Sequence, residues 1–285
     1  MVDPLLNDIY KAELTLDDFN RLSSFIYHES GIKMPPIKRV MLQSRLQKRL
    51  KELRISSFKD YCNYVFSNEG SNNEIIHMLD VVSTNKTDFF REPAHFDFFT
   101  STILPEYISN VKFNKIIKIW SAGCSSGEEP YTIAIVIYEF LEKNPSFDFY
   151  ILGTDISTNI LQKAANAIYK EDRVACIPYS LKQKYLLRSK ERTNPTVKIS
   201  NQLRSKIHFE RLNFMDDYYN LKDKFDVVFC RNVLIYFDRE TQEKVINKIC
   251  LKINEGGYFF LGHSESILNM KVPLKQIKPT IFQKI

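Results

Sequence analysis

The segment Trp120–Tyr131, which reads WSAGCSSGEEPY, is the part of the chain that most constrains the fold. A short β-branched run precedes it, and the apolar stretch Thr132–Leu141 follows, with Pro130 suited to the first turn of a helix. Gly123 and Gly127 carry no Cβ, so the backbone there can approach a ligand closely. A strand, a small-residue loop and a helix in this order form the place where an α/β sheet binds a nucleotide-like ligand.

A second strand, Phe149–Asp155, ends on an acidic residue. In dinucleotide-binding folds a carboxylate at this position accepts hydrogen bonds from ribose hydroxyls. Asp155 could instead cap the next helix, but Ser157 can supply that cap, so we favour the ribose role. Neither G-x-G-x-x-G nor G-x-x-x-x-G-K-[ST] occurs, and Glu128 and Glu129 would repel a pyrophosphate. S-adenosylmethionine, which has ribose, adenine and a cationic group but no phosphate, fits better.

The hydrophobic pattern changes along the chain. Up to about Val82 it has helical spacing, and from about Ile116 strands alternate with helices, which predicts a doubly wound parallel α/β sheet preceded by an all-α domain. We predict a helical domain over residues 1–84 and a second domain over 85–285. The predicted helices are Leu16–Tyr27, capped by Thr15, then Ile37–Leu53, Ser57–Asn68 and Asn72–Val82. Further predicted strands are Ile207–Leu212, Phe225–Cys230, Gly257–Leu261 and Thr280–Lys284.

Composition excludes several classes of protein. No apolar run approaches the length of a membrane span, and Met1–Pro4 lacks the basic start of a signal peptide, so we expect a cytoplasmic protein without membrane insertion. The five cysteines show no C-x-x-C spacing, so neither a disulfide framework nor a metal site is predicted.

The net charge of +6 favours acidic partners, and the segment Lys38–Arg54 holds seven of the positive side chains against one acid, Glu52. This segment, termed the basic helix below, could simply be a solvated face opposite a leucine stripe. Because acidic residues are nearly excluded from it, we favour a surface that meets an acidic partner. Interleaved aromatic residues are missing, so a nucleic-acid platform is not predicted.

Five segments resemble the chemotaxis receptor methyltransferases of the CheR family, in matching order and approximate spacing. They are Ser83–Glu92, Trp120–Tyr131, Gly153–Ser157, Phe229–Phe237 and Gly262–Glu265. The resemblance implies an S-adenosylmethionine-dependent, Rossmann-like methyltransferase domain with a small β-subdomain inserted at about residues 169–205. It also implies methyl transfer to glutamates on the cytoplasmic methylation helices of chemoreceptors, with S-adenosylhomocysteine as the second product. We expect a monomer.

The same resemblance implies the site residues. Arg91 and Tyr236 are expected on the acceptor side as catalytic residues, while no metal ligand is implied. The expected cofactor-binding residues are Asn85, Thr87, Arg91, Glu129, Asp155, Asn213, Phe214, Asn232 and Val233. Arg91 could otherwise form a salt bridge with Asp88 or Glu92, and Phe214 could belong to the core. His263 and Glu265 are assigned to loop structure.

The chemistry requires positioning more than acid–base catalysis. A glutamate has a pKa near ~4.3, so it is already a nucleophilic carboxylate at neutral pH and needs no general base. Two other functions stay open at this point. One is an RNA methyltransferase, suggested by the basic charge, although an Asn-Pro-Pro-Tyr-type motif is missing. The other is a protein that binds S-adenosylmethionine as a signal, which would not need Arg91 or Tyr236.

Overall fold

The structure, a computed structural model, describes residues 9–109, 116–144, 147–191 and 193–285. The first eight residues of the predicted helical domain, including Met1–Pro4, therefore lie outside the described residues. Within those ranges, no helix combines the length and the apolar character needed to cross a bilayer.

Short helices make up the amino-terminal part. They are α1 Leu16–Ser30, a 3-10 turn Pro36–Lys38, α2 Arg39–Leu53, α3 Phe58–Val65, α4 Asn68–Asn73 and α5 Ile75–Val82. The predicted cap of α1 is confirmed, because the Thr15 hydroxyl accepts a hydrogen bond from the Asp18 amide. Gly31 ends α1 with a φ of 70°. One prediction is wrong: the single helix Asn72–Val82 is two helices, with the break at Glu74.

The break at Glu74 has a physical reason, since this side chain turns into the helical core. Its carboxylate accepts hydrogen bonds at 2.8 Å from both Nε and Nη2 of Arg49, and Oε1 also accepts from the Tyr61 hydroxyl at 3.0 Å. Arg49 and Glu74 are both buried, and apolar side chains surround them. That core includes Phe19, Leu22, Ile26, Leu42, Leu46, Leu50, Phe58 and Met78.

The basic helix is therefore only partly a free surface. Arg49 is buried against Glu74, and Arg45 donates to the backbone carbonyls of Val82 and Ser83 at the end of α5. Arg39, Lys48 and Lys51 of α2 are exposed. Arg45 and Arg49 are thus engaged within the fold, so only the remaining positive residues of the basic helix are available to an acidic partner.

The second part is built on a seven-stranded sheet in the order β6-β2-β1-β7-β8-β10-β9. The strands are β1 Ile116–Ala122, β2 Asp148–Asp155, β6 Ile207–Arg211, β7 Phe225–Cys230, β8 Ile253–Leu261, β9 Leu274–Lys278 and β10 Ile281–Lys284. The pairings from β6 to β8 are parallel, and β10 is antiparallel to both β8 and β9. The predicted doubly wound α/β sheet is confirmed. Strand β9 was not predicted, since its exposed, lysine-rich sequence lacks apolar alternation.

Helices cover both faces of this sheet, and two buried apolar clusters lie beneath them. The helices are α6 Ala94–Phe98, a π-helical turn Phe99–Ile103, α7 Leu104–Ser109, α8 Glu128–Leu141, α9 Thr158–Asn166, α10 Tyr179–Tyr185, α11 Asn201–Arg204 and α12 Arg239–Cys250. A separate antiparallel sheet, β3-β5-β4, comprises Ile168–Lys170, Thr196–Ile199 and Leu186–Arg188. The structure thus contains a small β-subdomain where the insert is expected, and the exact domain boundaries stay predictions.

Replacing Glu74 with alanine should destabilise the protein strongly, because Arg49 would remain buried without its carboxylate. We expect the free energy of unfolding to fall by ~3–5 kcal/mol, measured by urea denaturation. Glu52→Ala is the control, since the Glu52 side chain is 61% exposed although it also contacts Arg49. A loss below ~1 kcal/mol for Glu74→Ala would show that the pair is not a main support of the helical core.

Candidate active site

A cleft of about 1050 Å³, open to solvent, lies where the carboxyl ends of the central strands face the helical part. Its lining includes the segment 82–91, the residues that follow β1, β6 and β7, and side chains from the helical part such as Met41. All ten predicted site residues border this single cleft: Asn85, Thr87, Arg91, Glu129, Asp155, Asn213, Phe214, Asn232, Val233 and Tyr236. Their individual roles stay predictions.

The loop after β1 that carries Gly123 and Gly127, termed the glycine loop, packs closely against neighbouring residues, as its sequence predicts. Gly123 and Gly127 have φ angles of 83° and 95°. A Cβ on Gly123 would lie 2.4 Å from a methyl carbon of Val233, and one on Gly127 would lie 2.9 Å from the Cβ of Ala164. Any other residue at either position would push the loop away from the structure that borders the cleft.

Asp155 at the end of β2 holds this loop in place through hydrogen bonds to backbone amides. Its two carboxylate oxygens accept hydrogen bonds from the amides of Ser125 at 2.9 Å and Ser157 at 3.0 Å. The cap of α9 is Ser157, whose hydroxyl accepts from the Ile160 amide at 3.2 Å. Burial raises the pKa of Asp155, and the backbone amides partly offset this. Each carboxylate oxygen can accept a further hydrogen bond, so anchoring the loop and binding a ribose are compatible.

The centre of the site is a buried arginine that the sequence analysis did not single out. The Arg231 side chain is 2% exposed, and its guanidinium lies 3.1 Å from Glu129 and 3.0 Å from Glu92. Nη2 also donates to the carbonyl of Arg91. Arg231 thereby joins the end of β7, the first turn of α8 and the segment that carries Arg91. A charged residue placed directly after the apolar strand Phe225–Cys230 was the available signal, because such a charge must be paired.

Arg231 lowers the pKa of both its partners, but the net shift of the pKa differs between them. Burial raises the pKa of Glu129, and Arg231 with the Ser121 hydroxyl offsets this only in part. Burial also raises the pKa of Glu92, but the charge and hydrogen bond of Arg231 outweigh it, so the net pKa is lowered. Glu129 therefore lies in the cleft as a carboxylate that an additional cation would stabilise.

Unusual backbone conformations cluster around this arginine. Phe90, Glu92, Ser125 and Asn232 have φ angles of 53°, 57°, 50° and 60°, in the left-handed region that non-glycine residues seldom occupy. Each such residue costs ~1–3 kcal/mol, and a surrounding structure must hold it there. Glu265 does so for the loop after β7, because its carboxylate accepts from the amides of Asn232, Leu234 and Gly262 at 2.7–2.8 Å. The assignment of Glu265 to loop structure agrees with these bonds.

Arg91 and Tyr236 face the cleft with polar groups that the protein leaves largely unused. Arg91 donates to the carbonyl of Lys86 at 3.2 Å. Within the described ranges it forms no salt bridge, because Asp88 pairs with Arg173 and Glu92 pairs with Arg231. The salt-bridge alternative for Arg91 is therefore wrong.

Tyr236 makes no side-chain hydrogen bond to another residue in the part of the chain that the structure describes. Burial raises its pKa, and the positive charges of Arg91 and Arg45 offset this in part. The phenol is therefore protonated at neutral pH and free to donate.

The remaining predicted residues differ in the hydrogen bonds and packing contacts that they make within the protein. The Asn213 amide donates to the carbonyl of Glu29 at 2.6 Å and its oxygen accepts from Met215, so it ties the sheet to α1. Phe214 belongs to a buried apolar cluster and also borders the cleft, so its contact with the cofactor stays a prediction. The backbone carbonyl of Asn85 accepts a hydrogen bond from the Ser125 hydroxyl at 3.0 Å. Thr87 has a side chain with no hydrogen bond among the described residues.

The β-subdomain also makes hydrogen bonds to segments that border the cleft. The Tyr169 hydroxyl donates to the carbonyl of Ser126 at 2.6 Å, and Arg173 contacts Glu128 at 2.8 Å, Asp88 at 3.1 Å and the Thr87 carbonyl. The insert therefore fixes both the glycine loop and the segment that carries Arg91.

A parallel sheet with a glycine loop after β1, no phosphate-binding pattern, and a carboxylate at the end of β2 defines a nucleoside-binding fold of the S-adenosylmethionine-dependent methyltransferase class. Residues 85–282 match the S-adenosylmethionine-binding domain of the CheR methyltransferases, and residues 17–83 match the all-alpha domain of the same proteins. The chain belongs to the CheR methyltransferase family.

Relatives match nearly the whole chain. The chemotaxis protein methyltransferase of Borreliella burgdorferi is 39% identical over 274 residues, which are 95% of each chain. The proteins of the same name from Salmonella typhimurium and Escherichia coli are 33% and 32% identical, with 93% and 90% of this chain covered and 89% and 88% of theirs.

Replacing Arg231 with methionine should leave Glu92 and Glu129 buried as unpaired carboxylates. We expect the free energy of unfolding to fall by ~3–5 kcal/mol at pH 7 relative to the parent protein. The loss should be smaller at pH 5, because the raised pKa of Glu129 in the folded state makes that state take up a proton as the pH falls. Arg188→Met, at a side chain that is 72% exposed, is the control. An equal loss at pH 5 and pH 7 would contradict this account of the carboxylates.

Proposed function

We propose that this protein transfers the methyl group of S-adenosylmethionine to glutamate side chains of chemoreceptors, forming methyl esters and S-adenosylhomocysteine. The single observation that carries the proposal is the cleft itself, whose lining brings the carboxylates of Glu129 and Asp155 together with Arg91 and Tyr236. The relatives at 31–39% identity are named chemotaxis protein methyltransferases. The class of enzyme and the cofactor follow from the family.

For the cofactor, Asp155 would accept hydrogen bonds from the ribose hydroxyls, and Glu129 would face the ammonium group. Glu129 suits a cation because it is buried and its pKa is raised. Asn213, Phe214 and Val233 would contact adenine, and Asn85, Thr87 and Asn232 would contact the rest of the cofactor, since all six border the cleft. The Asn213 amide is already bonded to Glu29, so Phe214 and backbone groups would carry most of the adenine contact.

For the acceptor, Arg91 would hold one oxygen of the substrate carboxylate and the Tyr236 hydroxyl would orient it. The other oxygen attacks the methyl carbon, a C–O bond forms, the C–S bond breaks, and sulfur keeps the electron pair. No proton moves in this step, so no general base is required. Alignment of oxygen, carbon and sulfur supplies the catalysis. Such positioning can lower the activation free energy by up to ~7–11 kcal/mol.

The direct experiment incubates the protein with methyl-labelled cofactor and chemoreceptor-rich membranes, followed by a test of alkali lability. Methyl esters release methanol in base, whereas N-methyl groups do not. We expect label on the receptor bands that base removes. Label in RNA, or base-stable label on protein, would contradict the proposal.

Cofactor affinity should depend on Asp155. Asp155→Asn keeps the shape and one acceptor for the backbone amides but removes the charge that would strengthen the ribose bonds. We expect S-adenosylhomocysteine to bind weaker by ~1.5–3 kcal/mol in calorimetry. Asp148→Asn, at the exposed start of the same strand, is the control. Unchanged affinity in a folded Asp155→Asn protein would remove the ribose assignment.

Arg91 and Tyr236 should affect turnover more than cofactor affinity, because both act on the acceptor. Arg91→Ala and Tyr236→Phe are expected to lower kcat by about tenfold or more while the dissociation constant of S-adenosylhomocysteine stays within about twofold. Steady-state kinetics and calorimetry on the same preparations check this. A large loss of cofactor affinity with normal kcat would instead place these side chains on the cofactor.

The exposed residues of the basic helix would steer the acidic methylation helices towards the cleft, which Lys38 and Met41 also border. Lys48→Glu with Lys51→Glu should slow receptor methylation, mostly at low salt, because screening acts on exposed charges. Lys222→Glu with Lys224→Glu makes the same change of charge at the opposite, amino end of β7 and should have little effect. Equal rates in both double variants would leave the basic helix as a solvated surface.

The same proposal includes the setting of the enzyme. It would act in the cytoplasm as a monomer, on the methylation helices of chemoreceptors, without nucleic acid and without insertion into the membrane. Residues 1–84 would form the helical domain and residues 85–285 the methyltransferase domain, with the insert at about 169–205.

A further inference from the structure

Three side chains that could ligate a metal ion lie behind Arg231, outside the lining of the cleft. One ligand atom from each of Glu92, His95 and His263 lies within 4.8 Å of the other two. Glu92 Oε2 is 3.5 Å from His95 and 3.8 Å from His263. His95 is buried, whereas the His263 side chain is 59% exposed, so the cluster is open to solvent on one side.

The hydrogen bonds define which nitrogen of His95 carries its proton. With the Thr280 hydroxyl assigned as donor to the carbonyl of Pro279 at 2.6 Å, its oxygen accepts the 2.8 Å hydrogen bond from Nε2 of His95. That leaves Nδ1 as a bare lone pair. Nδ1 is buried, has no hydrogen-bond partner, and faces the carboxylate of Glu92. Two acceptors therefore face each other in a buried place, which is unfavourable unless a cationic group lies between them.

Nδ1 of His95 lies 3.5 Å from Oε2 of Glu92 and has no hydrogen-bond partner, so its lone pair is available to a cation beside that carboxylate. A neutral imidazole with one nitrogen fixed as a donor to Thr280 is the usual form of a metal-binding histidine, and Thr280 takes the part of the outer partner that orients the ring.

We propose that Glu92, His95 and His263 form a binding site for a divalent metal ion of the zinc class. Two imidazole nitrogens and one carboxylate oxygen form a ligand set that zinc accepts, and the exposed side near His263 leaves a fourth position for water. The observed separations are close to those of ligands around one ion, so a small movement of the exposed His263 completes the set.

Arg231 does not exclude the ion. Its Nη2 takes one acceptor direction of Glu92 Oε2 and leaves the other towards the histidines. Glu92 Oε1 accepts from the side-chain amide of Asn232 and the backbone amide of His263, both at 3.3 Å, and these bonds hold the carboxylate in place. Glu129 balances the charge of Arg231 from its other side.

The experiment uses the full chain after treatment with a chelator and titrates it with Zn²⁺ by calorimetry and with Co²⁺ by visible absorption. We expect one equivalent to bind, with a Co²⁺ spectrum of nitrogen and oxygen ligation. His263→Gln changes an exposed side chain and should weaken Zn²⁺ binding by about tenfold or more.

His28→Gln is the matched control, because His28 is an exposed histidine beside another carboxylate, Glu29. It should bind Zn²⁺ like the parent protein. His95→Gln should also lose binding, with thermal unfolding of the metal-free variant as the check of its fold. Absence of a bound equivalent, or affinity in His263→Gln equal to that of the parent, would overturn the proposal.

Discussion

The interaction on which the rest of the site depends is the buried guanidinium of Arg231 between Glu92 and Glu129. Three separate pieces of chain meet at this group: the end of β7, the first turn of α8, and the segment that carries Arg91. The side chains of these two carboxylates are only 12% and 13% exposed, so leaving either charge unpaired would be costly. Left-handed backbone lies close to this guanidinium at Glu92, which pairs with Arg231, and at Asn232, whose amide is held by Glu265. One cation thus fixes Glu129, proposed to face the cofactor, relative to the segment that carries Arg91, proposed to hold the acceptor.

The helical part closes the cleft from the other side, and specific bonds fix it to the sheet. The Lys33 amide donates to the carbonyl of Tyr236 at 3.0 Å, the Thr158 hydroxyl donates to Asp80 at 3.0 Å, and the Asn213 amide donates to Glu29. Arg45 holds the end of α5, from which the chain runs directly into the segment with Asn85 and Thr87. A basic helix that looks like an interaction surface therefore also sets the position of active-site backbone.

Much of this organisation could be predicted because it follows from local physical rules. The parallel strands are continuous apolar runs, Gly123 and Gly127 stand where φ is positive, and Thr15 and Ser157 cap helices with their own hydroxyls. The site residues were found through a family resemblance on motif segments, and the structure brings all ten to one cleft. What stayed hidden depends on partners distant in sequence. The sequence around Arg49 does not indicate that Arg49 will pair with Glu74. The sequence around Arg231 likewise does not indicate that Arg231 will pair with Glu92. Exposed strand β9 forms only because β10 offers it an edge.

The central claim is that the enzyme positions an already ionised carboxylate in line with the methyl group and uses no general base. The most direct test is the pH dependence of kcat/KM for receptor methylation between about pH 6 and pH 9, where a glutamate with a pKa near ~4.3 is fully ionised. The raised pKa of Tyr236 keeps its phenol protonated near neutral pH. The account predicts a flat profile over this range. A rise of about tenfold per pH unit through pH 7 would contradict it, because it would show that a group of the enzyme must lose a proton before the methyl group moves.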